Sequence, residues 1–396
     1  FKSFEGGFVG VDVFFVISGY LITSIILADM NRGNFSIVTF YERRARRILP
    51  ALFFVMICCL PFAWGLLLPN HLKDFLQSVS AVSVFSSNFL FWSESGYFDT
   101  LAELKPLLHT WSLAVEEQFY LLFPLLLMAL WKLRKRWIFG ALAVLGAASL
   151  ALAQWAASTY PAANFFLLPT RFCELALGAL IGFYFLYKRE QTELISSHKL
   201  TSELLGGLGL ALIGYAVFAY DKQTPFPGLY ALAPTVGTAL IIIFSTSRTL
   251  VGRILSVKPM VGVGLISYSA YLWHQPLFSF ARHRYEESLT VTALLLLATT
   301  SLLLAYCSWR FVEMPFRDRR RISGRTVFRT AAVGTILFAT VGLAGQPGNG
   351  LFSSYSYEQV ALMEYSESYL RKFNENECFL GEDEKYADFP SGCYEN

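Results

Sequence analysis

Ionisable side chains set inside long apolar stretches stand out first: Asp12, Glu116, Glu117, Arg171, Glu174, His274, Arg310 and Glu313. Such groups are costly in apolar surroundings and usually serve function. Arg43, Arg44, Arg46 and Arg47 precede Ile48-Leu49-Pro50. On a helix, Arg44 and Arg47 are three residues apart and share a face. A guanidinium is a planar fork suited to phosphate oxygens, so the pair could grip the phosphates of a nucleotide-like molecule such as coenzyme A. The same cluster also reads as an anchor that fixes membrane topology.

Four further groupings carry polar chemistry. In His109-Thr110-Trp111-Ser112-Leu113-Ala114-Val115-Glu116-Glu117-Gln118-Phe119-Tyr120, a helix would align Ser112, Glu116 and Tyr120 on one stripe. Glu116 could orient a catalytic base or bind a sugar hydroxyl; a polar network between packed helices is the alternative. A Ser112–His109 nucleophile and base would lack a third orienting group. Arg171 and Glu174 are three apart, which suits a self-contained ion pair on one helix. In Tyr271-Leu272-Trp273-His274-Gln275-Pro276, proline frees a helix carbonyl near a histidine, so His274 is either hydrogen-bonded for structure or a proton carrier. Glu313 has Arg310 and Arg317 at helical distance, giving a structural salt bridge or a site carboxylate at a membrane mouth. No Walker loop, zinc-ligand spacing or dinucleotide glycine fingerprint is present, and no metal is expected.

These residues must be positioned by elements, and composition says which. The 396 residues are 55% hydrophobic, 16% aromatic and only 15% charged, where a soluble chain carries about a quarter charged residues. That excludes an ordinary cytosolic enzyme, a disordered chain and a nucleic-acid binder. The expected fold is all-α: a polytopic transmembrane helix bundle with a short extracytoplasmic tail. At about 20 apolar residues per crossing, ten spans are read near 8–28, 48–68, 107–131, 137–157, 164–187, 202–220, 229–246, 258–280, 291–313 and 326–344.

The stretch 75–92 is apolar but carries Ser78, Ser80, Ser83, Ser86, Ser87 and Asn88. If it crossed, Lys132–Arg136 would fall outside. If it does not, Arg43–Arg47, Lys132–Arg136, Lys188-Arg189, Arg248–Arg253 and Arg317–Arg325 all fall on the cytoplasmic side, as basic loops prefer. The second count is adopted, with 75–92 re-entrant or buried against other helices. It leaves Arg282, His283 and Arg284 outside.

Residues 345–396 hold 10 acidic and 3 basic side chains, against 29 basic and 19 acidic in the rest. Gly345–Gly350 reads as a linker to this acidic, water-exposed tail. Cys58, Cys59, Cys173 and Cys307 sit in or beside apolar spans and read as packing residues. Cys378 and Cys393 lie in the outward tail, where an oxidising compartment favours a Cys378–Cys393 disulfide.

Several of these segments together resemble the membrane-bound acyltransferase family 3. The matching stretches are Gly10 through Ile22, Arg43 through Pro50, His109 through Tyr120, Tyr271 through Pro276 and Trp309 through Phe316. The resemblance covers roughly residues 1–325 and implies a bundle of about ten helices. It implies transfer of acyl groups, commonly acetyl, from cytosolic acyl-CoA onto extracytoplasmic glycans. The family's Arg-x-x-Arg motif falls on Arg44 and Arg47, which the resemblance assigns to the acetyl-CoA donor. Asp12, Glu116 and Glu313 are expected to support catalysis. The family's catalytic histidine belongs to a helix ahead of Phe1, and none of His71, His109, His198, His274 or His283 matches it.

An additional helix at 326–344, then a periplasmic linker and tail at 345–396, resemble the subfamily with a C-terminal SGNH-type domain. Its Gly-Asp-Ser block is not in this sequence, so the chain is expected to be the middle of a longer enzyme. The implied setting is a multi-pass protein of the bacterial inner membrane. Its implied acceptor is a surface polysaccharide such as lipopolysaccharide O-antigen, or a lipid-linked glycan. A membrane transporter or glycan-export component without acyl chemistry is the rival expectation.

Overall fold

Long runs of Leu, Phe, Val and Ala leave the backbone no water to bond, so each closes its own hydrogen bonds as a helix. The computed structural model describes residues 2–95, 102–187, 198–221, 223–285 and 289–344. Among them there is no strand. After a 3-10 segment at Lys2–Val9 come α1 (Gly10–Asn31), α2 (Ile37–Leu66), α3 (Pro69–Ser83), α4 (Ser87–Ser93), α5 (Thr110–Leu130), α6 (Lys135–Thr159), α7 (Pro161–Phe166) and α8 (Leu168–Tyr187). Then follow α9 (Lys199–Ala219), α10 (Leu232–Phe244), α11 (Leu250–Leu255), α12 (Lys258–Tyr285) and α13 (Val291–Ser308). A π-helical turn at Trp309–Glu313 leads into α14 (Met314–Arg317), and α15 (Gly324–Ala344) closes the described chain.

Eight helices among the described residues are long and apolar enough to cross a membrane, and the chain is a multi-pass membrane protein. Two further spans expected from sequence are present as helices. α10 is short at 13 residues. α12 runs 28 residues but is diluted by Ser267, Tyr268, Ser269, Tyr271, His274 and Gln275. α2 starts at Ile37 rather than near 48, so the whole arginine cluster lies inside a helix.

The stretch 75–92 does not cross. α3 runs antiparallel to α15: Ser80 Oγ donates to the Ala339 carbonyl at 2.9 Å and Thr335 Oγ1 to that of Ser83 at 3.4 Å. The chain then reverses at Phe85, whose φ is +54°, and α4 turns back. Backbone polar groups at the apex need partners inside the protein. Gln118 of α5 supplies one, its Nε2 donating to the Phe85 carbonyl at 3.1 Å and to Asn88 Oδ1 at 2.8 Å.

The helices form two groups, each with its own apolar core. Phe15, Ile22, Val115, Phe119, Phe123, Leu142, Leu175 and Phe183 knit α1, α5, α6 and α8. Leu52, Val55, Phe75, Val79, Leu272, Trp273 and Phe338 knit α2, α3, α12 and α15. α1 and α8 run parallel and nearly touch. A Cβ on Gly178 would sit 2.0 Å from the Val16 carbonyl oxygen, and one on Gly19 would sit 2.0 Å from that of Leu175. Small residues give packed membrane helices this close approach.

One end of the bundle gathers basic side chains. Arg46 bonds Glu42 at 2.8 Å and reaches the carbonyls of Phe316 at 3.0 Å and Ile322 at 2.8 Å. Arg43 meets Asp29 at 3.4 Å. We refer to this as the basic end. At the far end Arg282 pairs with Glu103 at 3.4 Å, which accounts for a basic residue there. Cys58, Cys59, Cys173 and Cys307 are free thiols. Lys188-Arg189, the tail at 345–396 and the Cys378–Cys393 pair lie outside the described residues.

Candidate active site at the seam between the helix groups

The polar residues of the bundle collect where the two groups meet, with α1 and α5 on one side and α2, α12 and the π-helical turn on the other. α2 winds its four arginines to different tasks. Arg43 and Arg46 are spent on the ties described above. Arg44, on the face toward the seam, lies over the Tyr120 ring with its guanidinium carbon 5.3 Å from the centroid, and its Nε is buried without a partner. Arg47 is exposed and, with Arg44, acts electrostatically on Glu116 and Glu117.

The helix that follows the π-helical turn, packed against α2, adds a third cation. Arg317 Nη2 bonds Glu313 Oε2 at 2.7 Å, while its Nε is buried without a partner. Arg317 also feels the charges of Arg44 and Arg47. Glu313, fully buried at the π-helical turn, accepts from the Ser269 hydroxyl of α12. A π-turn inside an α-helix often marks a functional position, and here it aims a carboxylate at the seam. The bond is to Arg317, one of the two partners that spacing offered.

Deeper along α5, Glu116 accepts from the hydroxyls of Ser18 and Tyr120, which lie 2.9 Å from each other. All three are buried. Glu117 Oε1 is buried without a partner. Ser112, one turn before Glu116, meets the Tyr271 hydroxyl at 3.0 Å instead of joining its own stripe. Between these groups lies a cavity of about 210 Å³, lined by Val11, Phe14, Ser112, Glu116, Tyr268 and Tyr271 among others. Beyond it, toward the far end, stand His109 and His274 with ring centroids 5.2 Å apart. Chemistry is thus sorted along the seam: guanidiniums at the basic end, then carboxylates, then the cavity and hydroxyls, then imidazoles. A much larger cavity of about 710 Å³ between α5, α6 and α8 has apolar walls apart from Ser149 and no titratable group.

Of the residues marked from sequence, Glu116, Glu313, Arg44 and Arg47 come together here. Asp12 is held elsewhere. Arg171 Nη1 bonds Asp12 Oδ1 at 3.1 Å and Glu174 Oε1 at 3.0 Å, with all three at most 1% exposed. The rings of Trp111, Phe165 and Phe226 lie 4.9–5.2 Å from that guanidinium. The expected Arg171–Glu174 pair therefore forms, but as a buried three-member cluster tying α1 to α8. Sequence did not mark Ser18, Tyr268 or Ser269. A hydroxyl in an apolar run was the signal for Ser18; Tyr268 and Ser269 gave none beyond the polarity of α12. Arg317 entered only as a helical neighbour of Glu313.

Residues 2–310 match the family model described as an acyltransferase domain, Acyl_transf_3. The O-acetyltransferase OatA of Staphylococcus aureus (strain NCTC 8325 / PS 47) is 31% identical over 324 residues, covering 80% of this chain and 53% of that protein. The putative peptidoglycan O-acetyltransferase YrhL of Bacillus subtilis (strain 168) is 30% identical over 392 residues, covering 91% of this chain and 61% of that protein. The peptidoglycan O-acetyltransferase OatA of Listeria monocytogenes is 31% identical, covering 80% of this chain and 52% of that protein. The chain spans about half the length of the curated relatives it matches. No solved structure matches it. With a family model covering most of its length and relatives that share its span, the chain belongs to the acyltransferase 3 family.

Proposed function

We propose that this chain is the membrane part of an O-acetyltransferase. It takes an acetyl group from acetyl-CoA at the basic end, which faces the cytoplasm, and passes it along the seam to hydroxyls of a cell-surface polysaccharide. The observation that carries the reading is the pair of buried, unpartnered Nε atoms of Arg44 and Arg317, on packed elements that also carry the exposed Arg47. Phosphates of the donor would meet Arg47 and Arg317 at the opening and Arg44 within. Arginine suits this because its fork bonds phosphate oxygens in pairs. The thioester then lies toward the cavity, where Glu116 and Tyr271 stand.

Acyl transfer needs proton transfer and stabilisation of the developing oxyanion. The Ser112 hydroxyl lines the cavity beside that of Tyr271, whose own proton is donated to the His109 carbonyl. Glu116 and Glu313 hold hydroxyl groups of α1, α5 and α12 in place, and Asp12 fixes α1 against α8. The acceptor is a polysaccharide or lipid-linked glycan of the bacterial envelope. Two relatives are named as peptidoglycan O-acetyltransferases, which favours peptidoglycan over lipopolysaccharide O-antigen. An SGNH-type domain after the last helix, on the periplasmic side of the inner membrane, would complete transfer.

The test is Arg44→Ala and Arg47→Ala in the full-length protein, reading CoA affinity and acetate bound to glycan. Each lost charge-assisted contact weakens the donor by roughly 10- to 100-fold, from about 1.5–3 kcal/mol per bond. Unchanged affinity and acetylation at normal expression reject the donor site. Export of glycan without release of free CoA would favour a transporter instead.

A further inference from the structure

A second set of cations lies well away from the seam, where α5 turns into α6. Lys132, Arg134, Lys135 and Arg136 fall within five residues, with no acidic residue among them. Among the described residues no carboxylate pairs with any of them. Arg134 is the N-cap of α6, and Lys135 and Arg136 are its first two residues. A cation there opposes the positive end of the helix macrodipole. Sorting a loop to one side of a membrane needs only its charge; it does not call for cations on the first turn of the helix.

Beside these charges, between the start of α6 and the end of α8, is a cavity of about 360 Å³ lined by Lys135, Arg136, Phe139, Phe183, Tyr184 and Tyr187. That is the size of a small-molecule site. Its mouth is cationic and its walls are aromatic rings. Lys135 Nζ donates to the Trp131 carbonyl at 3.2 Å and stands 2.9 Å from the centre of the Trp131 ring. An ammonium has three donors, so two remain. The Arg136 guanidinium carbon lies 5.5 Å from the centroid of the Trp137 ring. On the other wall, Tyr187 Oη donates to Asn31 Oδ1 at 3.1 Å, which ties the end of α8 to the end of α1. Trp131, Trp137, Tyr184 and Tyr187 thus gather at one level, and such rings mark the height of the lipid headgroups. Phe139 and Phe183 lie one helical turn further in, at hydrocarbon depth.

A molecule that fits has an anionic head at the level of Lys135 and Arg136 and an apolar tail one turn deeper. A soluble anion makes no use of the rings, and a zwitterionic lipid gains no net attraction from the charges. We propose that this cavity binds an anionic phospholipid, of the phosphatidylglycerol type, from the leaflet at the basic end. Its phosphate meets Lys135 and Arg136, and one acyl chain lies between Phe139 and Phe183. The lipid braces the start of α6 against the end of α8, the helix that packs on α1. The larger apolar cavity between α5, α6 and α8 has no such charge and selects no headgroup. None of this depends on acetyl transfer, since the two cavities share no residue.

The test uses the full-length protein in detergent. The probes are phosphatidylglycerol and phosphatidylcholine with identical chains, and bound lipid is counted by native mass spectrometry. Removing two cations at a membrane surface weakens an anionic lipid by about 30-fold. Lys135→Gln with Arg136→Gln is expected to lose phosphatidylglycerol by about that factor. Its melting temperature without lipid is expected to match wild type, because neutral side chains suit the start of a helix at least as well. Phosphatidylglycerol is expected to raise the melting temperature of wild type and not of this double variant. Lys132→Gln with Arg134→Gln removes the same charge from outside the cavity and is expected to weaken binding by less than about fivefold. Equal losses in the two double variants overturn the proposal, because diffuse surface charge then accounts for binding. Equal affinity for phosphatidylcholine also overturns it. So does displacement of the lipid by an equal concentration of glycerol 3-phosphate, which would make the site one for a free phosphate.

Discussion

Replacing Gly178 by alanine tests whether the α1–α8 contact holds the site together. The new Cβ would lie 2.0 Å from the Val16 carbonyl oxygen and 2.6 Å from the Tyr20 nitrogen, where ordinary contact begins near 3.4 Å. Both neighbours are backbone, so no side chain can turn aside. The helices must part by about 1.4 Å, and forced repacking of this kind costs about 1–3 kcal/mol. Parting also stretches the Asp12–Arg171 bond, now 3.1 Å, to about 4.5 Å, beyond hydrogen-bond range. That places Gly178→Ala at the upper end, about 3 kcal/mol, a roughly hundredfold fall in the folded-to-unfolded ratio. Ser18 lies beside Gly19 on the same helix, so its bond to Glu116 should loosen and acetylation should fall with stability. Gly207 of α9 is the control, since a Cβ there meets nothing within 4 Å. Alanine at that site is expected to be neutral or to stabilise by up to about 1 kcal/mol. The assay is thermal inactivation in detergent with glycan acetylation read alongside. If Gly178→Ala melts within about 1 kcal/mol of wild type, or Gly207→Ala is equally damaging, the close backbone contact is not what positions α1.

Two further outcomes follow from buried polar groups. Arg171→Leu leaves Asp12 and Glu174 buried without their cation, and breaking such a cluster costs about 3–5 kcal/mol. Little folded protein is expected, with partial recovery when Asp12→Asn and Glu174→Gln are added; no recovery would argue against a charge effect. Gln118→Ala strands the Phe85 carbonyl at the re-entrant apex, a loss of about 1–3 kcal/mol. A cysteine introduced at Ser86 should then label faster with a water-soluble thiol reagent, and unchanged labelling would dissociate Gln118 from the turn.

The spans were legible because apolar runs near 20 residues have few alternatives to a helix. The non-crossing stretch was legible for a different reason. Six polar side chains between 78 and 88 could not face lipid, and the basic clusters sorted to one end only if it turned back. What sequence could not supply was pairing across helices. Spacing joined Ser112, Glu116 and Tyr120, since they fall on one stripe of α5. The structure divides that stripe, sending Ser112 to Tyr271 and tying Glu116 and Tyr120 to Ser18 of α1. Asp12 and Arg171 are 159 residues apart and meet only because α1 and α8 cross closely. No local pattern encodes such a meeting. For the same reason Arg317 was visible as a partner of Glu313 but not as a neighbour of Arg44 and Arg47.

The arginine cluster shows how two readings of one motif can divide among its residues. Arg46 is 3% exposed and binds two backbone carbonyls in the 316–322 segment, so it serves structure at the basic end. Arg43 has only a half-exposed contact with Asp29, which is worth little in itself. A helix repeat of 3.6 residues sends Arg44 to nearly the opposite side of α2 from Arg46 and leaves Arg47 between the directions of Arg43 and Arg44. The anchor and the anion grip are therefore not rivals. Four arginines in five positions cover more than one face of a helix, and each face meets different surroundings. The same argument extends to α12, whose polar residues lowered its hydropathy below that of its neighbours. Its Tyr268 to His274 stretch spans about 9 Å along the axis at 1.5 Å per residue. Tyr268 and Tyr271 line the cavity, and Tyr271 packs against His109 beyond it. The helix least like a membrane span is the one that the candidate chemistry runs along.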